Sequence, residues 1–203
     1  DRKNYFWPKP EPETAWVYYT GLSEGFESLH EDLIDYLKRH PTVRLAFNPG
    51  SSLLKFGRAY LPEIVSRADL LIVNLEEAES ITGESLEKDK TYGALIHRLL
   101  KMGAKEVALT DAERGAWAGN KDELWHMKSF PVAVISKTGA GDAFSAGYLA
   151  ARFYEHDLKH ALAWGIANSA AVIQKEDPHS GLLNRECIEP FLNKFKTIGP
   201  IAV

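Results

Sequence analysis

The 203 residues, 45% of them hydrophobic, are enough for one sizeable core and for one domain or at most two. The net charge of −4 comes from 24 basic and 28 acidic side chains spread along the chain, with no basic block to neutralise a run of nucleic-acid phosphates, so nucleic acid is excluded as a partner. The single cysteine, Cys187, rules out an internal disulfide, no apolar stretch nears the roughly 18 residues of a membrane span, and Asp1–Asn4 open no secretory leader, so a soluble cytoplasmic protein is expected.

Residues 1–14 carry Pro8, Pro10 and Pro12 among charges and read as an extended linker ahead of one domain over residues 15–203. The apolar run Trp16–Tyr19 stops before Gly21 and gives way to a helical pattern, Leu29, Leu33, Ile34 and Leu37, with Ser28 and Glu31 at capping-box spacing. Further apolar runs follow at Val43–Phe47, Leu70–Val73 and Val107–Thr110, separated by helical periodicity such as Tyr92, Leu95, Ile96, Leu99 and Leu100. Strands buried on both sides and alternating with helices specify an α/β fold, a mainly parallel sheet with helices on both faces. Trp117–Ala118 and Trp125–Met127 read as short strands around an Asn120 turn. Helices are expected over Asp142–Glu155, Leu158–Gln174 and Arg185–Lys194, the last carrying Cys187 as a partly buried thiol.

Open α/β sheets gather ligands beyond the carboxyl ends of their strands. The residues there are polar: Asn48, Asn74 and Thr110. Each also serves as an ordinary turn cap. The segment Thr138-Gly139-Ala140-Gly141-Asp142 stands directly before a long helix, where small residues let the backbone aim its N–H groups outward and the helix end adds positive potential. A carboxylate at the rim of such an anion cradle suits proton abstraction from an attacking hydroxyl. Taken alone, the tripeptide is equally a plain turn into a helix with Asp142 as its N-cap.

The run Lys137–Tyr148, KTGAGDAFSAGY, resembles the second signature of the PfkB, or ribokinase-like, carbohydrate kinases, usually DTTGAGDxFxAG. The resemblance implies Asp142 as catalytic base and the amides of Gly139, Ala140 and Gly141 as an anion hole, with Thr138 of the same motif beside the nucleotide. Upstream, Asn48-Pro49-Gly50 looks like the family's Asn-Pro-Ala turn. Asn74-Leu75-Glu76-Glu77-Ala78 with Thr82-Gly83 is similar to its Asn-x-x-Glu-Ala element, which implies that Asn74 and Glu77 help place phosphates and Mg²⁺, Glu77 acting through water. Read without the family, Glu77 is a solvated first-turn acid. Thr110 through Gly115 resembles a Thr-x-Gly-x-x-Gly phosphate turn, which assigns Thr110 and Gly115 to the nucleotide. Ile166–Ala171 matches a small-residue helix beside the adenine pocket and gives Asn168 a base or ribose contact, although small residues also simply pack helices closely.

Implied together are ATP and Mg²⁺ as cofactors, a sugar or nucleoside as small-molecule partner, and transfer of the γ-phosphate to its hydroxyl. The competing reading is a nucleotide-binding module or inactive fragment without catalysis; a dinucleotide-binding enzyme is disfavoured, since no G-x-G-x-x-G follows the first strand. Relative to the family, the N-terminal third and most of the β-lid are missing from this chain, which hides the substrate and leaves core surface on which two copies could associate as a homodimer. Ser136-Lys137 replaces the signature's Asp-Thr, so its monovalent cation is not carried over, and Lys137 either supplies charge near the phosphates or is solvated. Lys175–Gly181 departs from the family's Gly-Ala loop and carries no cation ligand, and Ala112 replaces the first glycine of the phosphate turn, where an alanine is expected to keep φ negative.

Overall fold

The computed structural model describes residues 5, 7, 13–86 and 91–203, apart from the side chain of Phe56. Most of the expected linker lies outside them. Of its described residues, Tyr5 and Trp7 are half-buried: the Tyr5 hydroxyl meets Ser23 Oγ at 2.7 Å, and the Trp7 ring lies 5.3 Å from that of Tyr36.

Four strands of five residues each, β1 (Trp16–Thr20), β2 (Arg44–Asn48), β3 (Leu70–Asn74) and β4 (Glu106–Thr110), pair in parallel. The sheet continues antiparallel through β5 (Ala116–Asn120), β6 (Leu124–Met127) and β7 (Ile201–Ala202), giving seven strands in sequence order. Asn120 Oδ1 closes the β5–β6 turn by accepting from the backbone of Asp122 and Glu123. The helices are α1 (Glu27–Arg39), α2 (Gly50–Phe56), α3 (Leu61–Arg67), α4 (Leu75–Thr82), α5 (Tyr92–Lys101), α6 (Ala140–Phe153), α7 (Leu158–Val172) and α8 (Arg185–Leu192).

Alternation along the strands divides the core in two. Leu45, Phe47, Leu71, Val73, Val107 and Leu109 face the crossover helices, meeting Leu33 and Leu37 of α1, Ile64 of α3 and Leu95 and Leu99 of α5. Crossovers of one hand place these connections on one side of the sheet. The neighbouring residues Ala46, Leu70, Ile72 and Ala108 face α6 and α7. Small side chains on that face admit the two helices closely, and they pack on each other just as tightly. A Cβ on Gly147 would stand 2.7 Å from Trp164 O, and one on Gly165 2.7 Å from the Phe144 ring. Each fully buried leucine contributes about 1.5–3 kcal/mol of apolar burial, so Leu33, Leu95 and Leu99 anchor α1 and α5 to the sheet.

Several expectations need correction. The Ser28/Glu31 capping box does not form, because α1 starts at Glu27 behind Phe26, which makes no side-chain cap and is wholly buried among His30 and Tyr60. Helix α6 starts at Ala140 with Gly139 as its N-cap, so Asp142 lies within the first turn and does not cap it. Cys187 is exposed, since α8 turns Ile188 and Phe191 inward instead. No helix among the described residues is long and apolar enough to cross a membrane.

Candidate active site

The last residues of the four parallel strands, Thr20, Asn48, Asn74 and Thr110, line one cavity of about 300 Å³. Their parity explains why. They continue the strand face that carries Ala46, Leu70, Ile72 and Ala108, the face covered by α6, so they point toward the start of that helix. The cavity floor has a step. Thr20 is level with Asn48 and Asn74 with Thr110, whereas Phe47 is level with Leu71, which leaves β3 and β4 two residues longer on this side. Asn48 is fixed against the riser: Thr20 Oγ1 donates to its Oδ1 at 3.0 Å, and its Nδ2 donates to Ile72 O at 2.9 Å.

Opposite the strand ends stands the first turn of α6, which brings Gly139, Ala140, Gly141, Asp142 and Ser145 to the same cavity. Gly139 has φ 79°, a left-handed conformation that swings the chain into the helix without a steric penalty only because it lacks Cβ. The first N–H groups of a helix have no intrahelical acceptor. That of Ala140 reaches Lys137 O at 3.3 Å, which leaves those of Gly141 and Asp142 for a ligand. A Cβ on Gly141 would meet no atom within 4 Å, so the cradle stays open at this residue. Ser145, three residues on from Asp142 and on the same helix face, donates to Gly141 O at 2.9 Å and steadies the turn.

Asn74 and Glu77 form a reciprocal capping box at the start of α4: Glu77 N donates to Asn74 Oδ1 (2.8 Å), and Asn74 N donates to Glu77 Oε2 (3.0 Å). Both side chains also line the cavity. Glu77 is only 8% exposed, so it is not the solvated first-turn acid that the residues alone allow. Burial pushes its carboxyl above the usual range, opposed by the hydrogen bond from Asn74. One carboxylate oxygen is held by the backbone and the other is left for the cavity. Hard oxygen donors on a fixed frame fit a hydrated Mg²⁺.

Lys137 also borders the cavity, and its ammonium is paired with Glu113 Oε1 at 3.0 Å. Three further candidates do not line the cavity. Thr138 is exposed beside it, with its backbone N–H on Ser136 Oγ. Gly115 has φ 97° and abuts β6, where a Cβ would stand 2.1 Å from Met127 O, so a side chain is excluded there by packing. Asn168 is 3% exposed with both ends of its amide engaged: Nδ2 donates to Ala143 O at 2.7 Å and Oδ1 accepts from Leu183 N at 2.8 Å. It ties the first turn of α6 to the chain before α8.

The expectation that Ala112 keeps φ negative is overturned; its φ is 40°. The turn is pinned hard enough to impose this: Tyr92 Oη donates to Asp111 Oδ2 (2.6 Å), Ser129 Oγ donates to Ala112 O (2.8 Å), and His126 Nε2 donates to Arg114 O (3.0 Å). Sequence reasoning missed Thr20, Gly21, Gly50 and Ser145. The strand-end signal that picked out Asn48 was equally present at Thr20, and helical spacing from Asp142 pointed to Ser145. Gly50 stands where the related turn has alanine, and its φ of 60° beside Gly21 accounts for the glycine.

The sequence model of the pfkB family carbohydrate kinases matches residues 14–184. The chain is 29% identical over 145 residues to an ATP-dependent 6-phosphofructokinase from Thermoanaerobacterium thermosaccharolyticum, covering 69% of this chain and 43% of that protein. It is 32% identical over 120 residues to a cytidine kinase from Thermococcus kodakarensis, covering 58% and 41% respectively. Among solved structures, a proposed ribokinase II from E. coli in complex with ATP and Mg²⁺ superposes with a TM-score of 0.70 at 24% identity, over 81% of this chain and 53% of that one. The chain thus spans about half the length, or less, of these proteins.

Proposed function

This chain belongs to the pfkB family of carbohydrate kinases, and on that footing we propose that it is the nucleotide-binding and catalytic part of a cytoplasmic enzyme that moves the γ-phosphate of ATP to a hydroxyl of a sugar or nucleoside. The observation that carries the reading is the convergence on one cavity of a carboxylate, Asp142, a helix N-terminus with the amides of Gly141 and Asp142 open, and the oxygen donors Asn74 and Glu77. Relatives named as a 6-phosphofructokinase and a cytidine kinase support a sugar-type or nucleoside substrate class.

In this reading Asp142 takes the proton of the acceptor hydroxyl as that oxygen attacks the γ-phosphorus. Its position beside the cradle puts base and anion-stabilising amides within one helical turn, which favours in-line transfer without a covalent enzyme intermediate. The amides of Gly141 and Asp142 stabilise charge on the transferred group, and because they are fixed in the helix no reorganisation is needed during the reaction. Asn74 and Glu77 would hold Mg²⁺ through its water shell, and the ion would supply charge neutralisation between the phosphates. Thr110 and Lys137 border the path of the phosphates, with Thr138 and Gly115 shaping the two turns that carry them. Asn168 acts behind α6, by holding Ala143 next to the base.

The test is Asp142→Asn, assayed by ADP formation against a panel of sugars and nucleosides. The variant keeps the shape and loses the base, so kcat falls by ~10²–10⁴ while ADP affinity stays near that of the parent. Unchanged turnover with an otherwise good substrate would refute the assignment.

A further inference from the structure

The charge of the cavity wall raises a question that the phosphate-transfer reading leaves open. Its ionisable lining residues, among those described, are Glu77, Asp142 and Lys137. A pocket for a polyphosphate thus carries two carboxylates and a single cation, and that cation is already neutralised by Glu113. Glu113 itself does not line the cavity. It projects from the turn after β4, which Tyr92 holds through the Asp111 carboxylate and which His126 and Ser129 hold through the carbonyls of Arg114 and Ala112, whereas Lys137 sits on irregular chain before α6 at the end of a long flexible stem. The acid hangs from a pinned turn, and the base reaches it on a longer stem. Both side chains are open to water, at 81% and 73% exposure, and pairs of this kind are weak enough to be exchanged for another anion.

We propose that Glu113 is an affinity-setting residue: it holds the Lys137 ammonium while the cradle is empty and gives it up to the phosphates of an arriving nucleotide. This rests on the nucleotide-binding reading above. Occupation of the cradle then costs the Glu113–Lys137 pair, and re-formation of the pair favours release of the spent nucleotide. Neither residue stabilises the fold appreciably through this contact; its effect is on binding.

The experiment is calorimetric titration of ADP and, separately, of inorganic tripolyphosphate into the parent protein, Glu113→Gln, Lys137→Gln and the double variant, with thermal melts of all four. Glu113→Gln is expected to bind both ligands about three- to tenfold more tightly, the range for removing one screened charge near a polyanion. Lys137→Gln binds more weakly, and in its background the gain from Glu113→Gln falls by at least half, because there is no pair left to break. Equal gains in both backgrounds, no gain at all, or a lowered melting temperature as the sole effect of Glu113→Gln would overturn the proposal while leaving the nucleotide reading intact. Failure of the parent protein to bind either ligand would remove both.

Discussion

Two glycines of the cradle, two residues apart, respond in opposite ways to the same added methyl group. Gly139 holds φ 79°, and a Cβ there would stand 2.5 Å from Pro178 Cβ, which is locked in the proline ring next to Cα and cannot swing aside as a flexible side-chain tip could. Gly139→Ala combines about 1–2 kcal/mol for a left-handed alanine with about 1–3 kcal/mol of overpacking. At roughly 2–4 °C per kcal/mol for a domain of this size, the melting temperature falls by roughly 5–15 °C. Gly141 lies inside α6 with open space where its Cβ would go. Gly141→Ala therefore leaves the fold unharmed and raises stability by up to about 1 kcal/mol through helix propensity. On the proposed reading its methyl group takes space meant for a phosphate oxygen, so ADP binding is expected to weaken about tenfold or more, ~1.4 kcal/mol. Thermal melts and ADP titration on both variants read the two effects separately. A Gly141→Ala protein that melts as low as Gly139→Ala, or binds ADP like the parent, would show that the cradle is not open where the geometry puts it.

Ala112→Gly relieves the left-handed strain at φ 40°; after the extra freedom of glycine in the unfolded chain is deducted, about 0.5–1 kcal/mol of stabilisation remains, visible in urea denaturation as a higher midpoint at unchanged slope. Asn168→Ala leaves the Leu183 N–H without its partner and opens a void behind α6, which costs about 2–4 kcal/mol and lowers the melting temperature by roughly 5–15 °C. His30 is buried between Tyr19, Phe26 and Tyr60 with its Nε2 unpartnered, and burial holds its pKa below the ordinary 6.5, against the pull of Glu63 and Glu31. The sign follows from linkage: a folded state that resists the proton is intact above pH 6.5 and loses stability as the pH falls from there through the lowered folded value. His30→Leu is expected to flatten the fall in melting temperature between pH 7.5 and 5.5; an unchanged slope would assign that acid sensitivity to other groups.

The central strands were legible because they are buried on both faces and read as unbroken apolar runs, and α5 because its apolar positions recur with helical period. The stretch from Gly50 to Arg67 was not, since α2 and α3 have only seven residues each, too few turns for a period to show. Strand β7 has two residues and exists only because β6 offers it an edge. The start of α1 was misread because a buried aromatic, Phe26, took the place of a polar cap, a choice made by tertiary packing. At the site, the strand ends and the glycine turn were visible as local chemistry. The burial of Glu77, the double engagement of Asn168 and the sign of φ at Ala112 depend on residues distant in the chain, Leu183 and Ser129 among them, and no local pattern announces those partners.

The stagger of two residues between β2 and β3 has a consequence for how this scaffold tolerates length changes. Because the shift is even, Asn48 and Asn74 emerge on the same side of the sheet; an odd shift would have sent one of them under α6 and the other among the crossover helices. Adding or deleting one residue inside any of the four parallel strands should abolish ligand binding even where the chain still folds. At the opposite end of β2, the exposed turn at Thr42 is a place where added length is expected to be tolerated.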